Sequence, residues 1–235
     1  MTELDNTQET QVKNSTRQTL RGQLLQGVRT VPKASFRPFS AFSDSSCDEL
    51  RRGVALPPLV LALLAYCLIT MSIFNCVLVP QVNSGEIELP QGLTWELYLA
   101  IYSWILPMMS LFSVMLTWLS TAAVTYFLCR LFGHEIPFPP LLTLTAFVLL
   151  PDFWIVMPIA GLLWYDAGLV LTVAANLSLP ISIAVILWRT TIQSNVIGCF
   201  SDIGFRRSFL ISLLGQIAIL MVLGLPLSSP GATGI

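Results

Sequence analysis

Asp152 is the residue whose type and position most invite chemistry. It lies eleven positions past Leu141 in a long apolar stretch. At about 1.5 Å per residue that is about 16 Å along a helix, close to the middle of a hydrocarbon layer about 30 Å thick. An ionised carboxylate at such a depth is costly, and residues of this kind are candidate functional sites by default. No lysine or arginine falls within the five apolar stretches delimited below. Burial without a counter-charge disfavours the anion, so the expected state is a protonated carboxyl bonded across a helix interface. The expected partner is Asn176, eight residues into the next stretch from the opposite side. The sharper reading of the pair Asp152 and Asn176 is a proton or cation site. The plainer and favoured reading is a structural hydrogen bond beside a kink, since Pro151 and Pro158 free backbone carbonyls around it.

Hydroxyl groups form a second pattern. Ser113, Thr117, Thr121 and Thr125 recur every four residues, a stripe along which another helix can approach closely and bond. Helix packing is its favoured use, a hydrophilic pore lining the alternative; Ser178 and Ser182 make a shorter version. His134-Glu135 could serve as acid and base, but no nucleophile or second ligand accompanies the two, and they read as a solvated loop. The five cysteines, at 47, 67, 76, 129 and 199, include no Cys-x-x-Cys pair, and a single histidine is too few for a zinc site. No disulfide framework is expected; Cys47 reads as a plain thiol, with acylation as the alternative. There is no GxSxG, HExxH, paired-aspartate or Walker pattern. The expectation is a protein that is not an enzyme and uses no cofactor or metal.

The elements that must hold these residues follow from composition. Apolar residues make up 54% of the chain and charged residues 11%, against about 25% charged in a typical soluble domain. Lipid is therefore the expected solvent. The expected fold is all-α: an integral membrane bundle of five transmembrane helices at 54–79, 97–128, 141–163, 168–187 and 208–227. The stretch 97–128 is read as one tilted helix bent near Pro107, because two short spans would put Arg130, Arg189, Arg206 and Arg207 on the far side. Read this way, all twelve basic residues fall in alternate connections: eight in the head 1–53, Arg130 after the second span, and Arg189, Arg206 and Arg207 between the fourth and fifth. Basic flanks resist translocation, which puts the amino terminus in the cytoplasm and the short tail 228–235 outside. The first apolar run starts near residue 54, too late for a cleavable signal. No internal repeat is visible, and no basic groove for nucleic acid.

The head is expected to meet anionic lipid at the cytoplasmic face. Over 17–31, Leu20, Leu24, Leu25, Val28 and Val31 follow helical spacing, which suits a surface helix in a partly disordered head. Arg17, Arg21, Arg29 and Lys33 are its expected lipid contacts. Phe36, Phe39 and Phe42, around Pro38, are expected to dip into the interface. Ser46-Cys47-Asp48-Glu49 has capping-box spacing for a short helix ending at Arg52.

Five spans, a basic inward head and a short outward tail, together with two local segments, resemble the Yip family of Ypt/Rab-interacting membrane proteins, in its bacterial branch. The segments are "PFSAF" at Pro38–Phe42, just before the first span, and "FLCRLFGHEIPFPPLLTLTAFVLLPDFWI" across the junction of the second and third spans. The resemblance covers roughly residues 36–225 and carries over no functional residue. It implies a non-enzymatic role in membrane organisation, trafficking or scaffolding, in a bacterial inner membrane or a eukaryotic endomembrane. The implied partners are the bilayer itself and other membrane proteins, or a second copy, through small-residue faces. The alternative is a small transporter or channel component built on Asp152.

Overall fold

The computed structural model describes residues 22, 24–42, 56–85, 92, 94–200 and 203–224. It is all-helical, with no strand among the described residues. A head helix, α1, covers 24–36 and is followed by the single turn α2, Pro38–Ala41. Five longer helices follow: α3 (Leu56–Asn83), α4 (Trp95–Leu131), α5 (Phe138–Tyr165), α6 (Ala167–Gly198) and α7 (Phe205–Gly224). By length and composition α3, α4 and α5 can each cross a membrane, and α6 makes a fourth if its two halves, bent by 69° on either side of residue 175, count as one span.

The long helices close into a ring in which each touches its neighbours in the order α3, α5, α6, α7, α4 and back to α3. The first part of α5 fills the inside of this ring, with Leu141, Leu144, Phe147 and Leu150 fully or almost fully buried. Outward faces carry large apolar side chains such as Trp104, Met108 and Phe112, exposed by 76%, 63% and 64%. A bundle solvated by lipid has no reason to bury these groups, and the surface is consistent with an integral membrane protein.

Proline placement explains the irregular turns. In α3 a π-helical turn at Phe74–Leu78 precedes Val79–Asn83; Pro80 has no N–H for the regular ladder, and a π turn absorbs the slip. The helix therefore runs four residues past the expected end at Val79. In α5 a 3₁₀ stretch, Ala146–Leu149, leads into Pro151. In α6 the bend falls just before Asn176, whose carbonyl is the one Pro180 leaves without its i+4 donor. By contrast α4 is a single helix of 37 residues despite Pro107, as the undivided second span requires. Gly133, at φ +80°, closes it in a left-handed turn that a side chain would strain.

Four expectations are corrected. First, the fourth helix does not stop at Leu187 but continues to Gly198, so Arg189 lies inside α6 rather than in a connection. Second, the head helix does not end at Val31 but continues to 36. It buries Val31, Ala34 and Ser35 against the bundle and leaves Leu25 and Val28 more than half exposed. Third, Phe42 is buried in the core, edge-on to Phe147 at 6.0 Å, while Phe36 and Phe39 remain largely exposed. Fourth, Cys199 is disulfide-bonded, whereas Cys67, Cys76 and Cys129 are free thiols. Arg17, Arg21, Cys47, the capping box at 46–49 and the tail 228–235 lie outside the described residues.

Candidate functional site

Asp152 has an ion partner. Arg189 Nε donates to Asp152 Oδ1 at 2.9 Å, and Nη2 of the same guanidinium donates to Oδ2, a side-on bidentate pair. Tyr66 Oη donates to Oδ2 at 3.3 Å. Three helices thus converge on one carboxylate: α3 through Tyr66, α5 through Asp152 and α6 through Arg189. Asp152 is 5% exposed, and the Arg189 side chain 16%. A guanidinium stays charged throughout the physiological range, and its planar fork matches an ionised carboxylate. The expectation that the carboxyl lacks a counter-charge is overturned. So is the choice of partner: Asn176 is exposed and donates instead to Thr172 O on its own helix, at 2.8 Å.

Helix lengths account for the meeting. Arg189 lies nine residues before the end of α6, and Tyr66 ten residues after the start of α3. Both are therefore about 14–15 Å from the head end of the bundle at the usual helical rise.

The head helix is fastened beside this pair. Trp154, two residues after Asp152, donates its indole N–H to Ser35 Oγ at 2.8 Å. Trp188, one residue before Arg189, donates to the Ser35 carbonyl at 2.7 Å. Phe36 rests against both indoles, with ring centroids 5.0 and 6.0 Å away. Two more tryptophans tie helices in the same manner: Trp118 to Leu142 O across α4 and α5, and Trp164 to Ser72 Oγ across α5 and α3, each at 2.8 Å. The carbonyl of Leu142 precedes the 3₁₀ stretch, where the regular ladder is interrupted.

A second buried polar chain has no charge. Gln216 Nε2 on α7 donates to Gln193 Oε1 on α6 at 2.6 Å; Gln193 Nε2 donates to Thr125 Oγ1 on α4; and Thr125 donates to Thr121 O at 2.6 Å. Gly215 packs beside this chain, where a Cβ would make ordinary contact with Gln193 Nε2 at 3.5 Å. The predicted hydroxyl stripe is thus half realised. Thr121 and Thr125 are buried, Thr117 is half-buried, and Ser113 is exposed. The hydroxyls of Thr117, Thr121 and Thr125 each bond the carbonyl four residues back, so only Thr125 takes a bond from another helix. Ser110, one turn before Ser113, makes a different cross-helix contact, 3.2 Å from Thr70 Oγ1 on α3. Ser178 and Ser182 are exposed.

Gln193 and Gln216 escaped the sequence reading because a lone glutamine among apolar residues carries no spacing signal. His134 and Glu135 form part of the turn after α4, the first half-buried and the second exposed. No group of three or more His, Cys, Asp or Glu able to hold a metal occurs among the described residues. No protein-family model, no curated protein and no solved structure matches the chain.

Proposed function

We propose that this chain is a non-enzymatic, five-span membrane protein that organises or scaffolds the membrane around it. The observation that carries this reading is that the two buried polar clusters are each closed on themselves. Asp152, Arg189 and Tyr66 satisfy one another, and so do Thr125, Gln193 and Gln216. A permeation site needs polar groups to offer a passing ion; here those groups hold helices together. What the molecule offers outward is apolar surface for lipid and for other membrane proteins, and basic residues at one end. The likeness of Pro38–Phe42 and Phe127–Ile155 to the bacterial branch of the Yip family supports the same role.

The proposed threading adds α7 as the fifth crossing, with the head in the cytoplasm. Arg130 closes α4, Arg206 and Arg207 open α7, and Arg29, Lys33 and Arg37 lie on the head segment packed at this same end. With Arg189 moved inside α6, two arginines remain at this end in the first turn of α7, so the charge asymmetry stands. The setting is a bacterial inner membrane, or an endomembrane in a eukaryote.

Purified protein in liposomes tests the function. The expected result is no proton or small-ion flux above that of empty vesicles, for the wild type and for Asp152→Asn alike. Flux that vanishes on Asp152 substitution would establish the transporter reading in its place. A reporter fused after Ile235 tests the threading, and activity in the cytosol would overturn it.

A further inference from the structure

We infer that the turn after α4 and the first two turns of α7 form a site for one anionic phospholipid. Its phosphate is held by Arg206, Arg207 and His134, and an acyl chain lies along Phe132, Leu210 and Leu214. This inference does not depend on the scaffold reading; it requires only that this end of the bundle meet a headgroup layer.

Two adjoining hollows carry it. One, of about 730 Å³, is lined by His134, Arg206 and Arg207 together with the backbone turn before α7. The other, of about 440 Å³, is lined by Phe132, Leu210, Leu214 and their neighbours. His134 and Arg207 line both. The volumes lie in the range of small-molecule sites, about 300–1,000 Å³. A cationic mouth thus opens into an apolar groove between two helices, and the groove faces outward, with Phe132, Leu210 and Leu214 exposed by 51%, 59% and 48%.

The charge is not consumed by the protein. Arg206 and Arg207 are exposed, and neither has an ion-pair or hydrogen-bond partner among the described residues. The first turn of α7 holds no acidic residue. Arginine pairs with phosphate through a planar, bidentate fork, and a basic pocket between helices at the membrane surface suits an anionic headgroup. A soluble anion would use the mouth and leave the groove empty. A zwitterionic lipid would fill the groove but bring a cation to the arginines. An anionic phospholipid matches both halves, and the groove continues down the outward face of α7, where Ile217 and Leu220 are exposed.

Native mass spectrometry of the full chain in mixed micelles tests this. Phosphatidylglycerol should be retained at one molecule per chain, at least tenfold more strongly than phosphatidylcholine. Arg206→Gln/Arg207→Gln should abolish that preference, while Arg29→Gln/Lys33→Gln on the head should leave it unchanged. Leu210→Ala/Leu214→Ala should weaken phosphatidylglycerol severalfold. The substituted side chains are exposed, so melting temperatures should not move, and any that do are answered by Arg206→Lys/Arg207→Lys, which should keep part of the preference. Three outcomes would each overturn the proposal: equal retention of the two lipids, retention unaffected by the arginine substitutions, or full displacement by inorganic phosphate with no effect of the leucine substitutions. The last would mark a free-anion site.

Discussion

The bundle contains two buried polar clusters of opposite character, and α6 belongs to both. The first, Tyr66–Asp152–Arg189, is a charged pair shared by α3, α5 and α6. The second, Thr125–Gln193–Gln216, is neutral and joins α4, α6 and α7. Arg189 and Gln193 are one turn apart on α6, so two side chains staple this helix to α5, α4 and α7. The clusters differ in what happens when one member is lost. A buried ion pair is weak evidence for net stability, because desolvation offsets much of the attraction; removing one partner, however, strands a charge. A neutral amide chain loses less, because each stranded group is only a dipole. Held together, the two show a bundle locked by mutual dependence rather than by a surplus of favourable energy.

The largest predicted effect breaks the charged cluster. Asp152→Leu leaves a buried guanidinium unpaired and should lower stability by about 3–5 kcal/mol, read as a fall in the unfolding midpoint in detergent. Asp152→Leu/Arg189→Met should recover most of that loss. Equal midpoints for the single and double variants would show that the pair does not carry the interaction described. Next comes the neutral chain. Gln193→Leu strands the Gln216 amide and Thr125, at about 1–3 kcal/mol for a buried unsatisfied group. Gln193→Leu/Gln216→Leu should lie nearer the wild type, and a double-mutant cycle measures the coupling.

Smaller effects sharpen the contrast. Ser35→Ala removes the acceptor of Trp154 but keeps the carbonyl that Trp188 uses, so about 1 kcal/mol is expected. Hydrogen exchange over residues 24–36 should rise, with the ring helices unchanged; unchanged protection over 24–36 would remove the tryptophan clamp as the fastening. Ser212→Ala should be neutral or slightly stabilising, because Ser212 Oγ is buried with no partner among the described residues. Ser113→Ala should stay within about 0.5 kcal/mol, as an exposed member of the stripe. A large loss there would mean that Ser113 packs against something in the membrane, such as a second copy.

Much of the fold was legible because lipid leaves a plain mark on composition. Long apolar stretches announced the helices, and Pro107 did not divide α4. Asp152 was identifiable as a residue needing an explanation. Its partner was not, and the reason is specific. Residues 189–195 read Arg-Thr-Thr-Ile-Gln-Ser-Asn, and hydropathy alone ends a span there. Yet Thr190, Ile192 and Gln193 are wholly buried and Ser194 almost so. The segment is polar because it faces other helices, not because it faces water. Likewise Val31 and Phe42 looked like lipid contacts, since a lone segment gives no hint that the bundle has a groove to receive them.

By itself the sequence determined that this chain is helical and built for an apolar solvent, because backbone groups in lipid must be satisfied within each segment. It also determined where the basic residues gather. Only the tertiary structure decided which polar groups meet: Asp152 with Arg189 rather than Asn176, Gln193 with Gln216, Ser35 with two tryptophans. Such pairings depend on helix ends, bends and ring order, which bring together residues such as Ser35 and Trp188, 153 positions apart, and no local pattern records a distance of that kind.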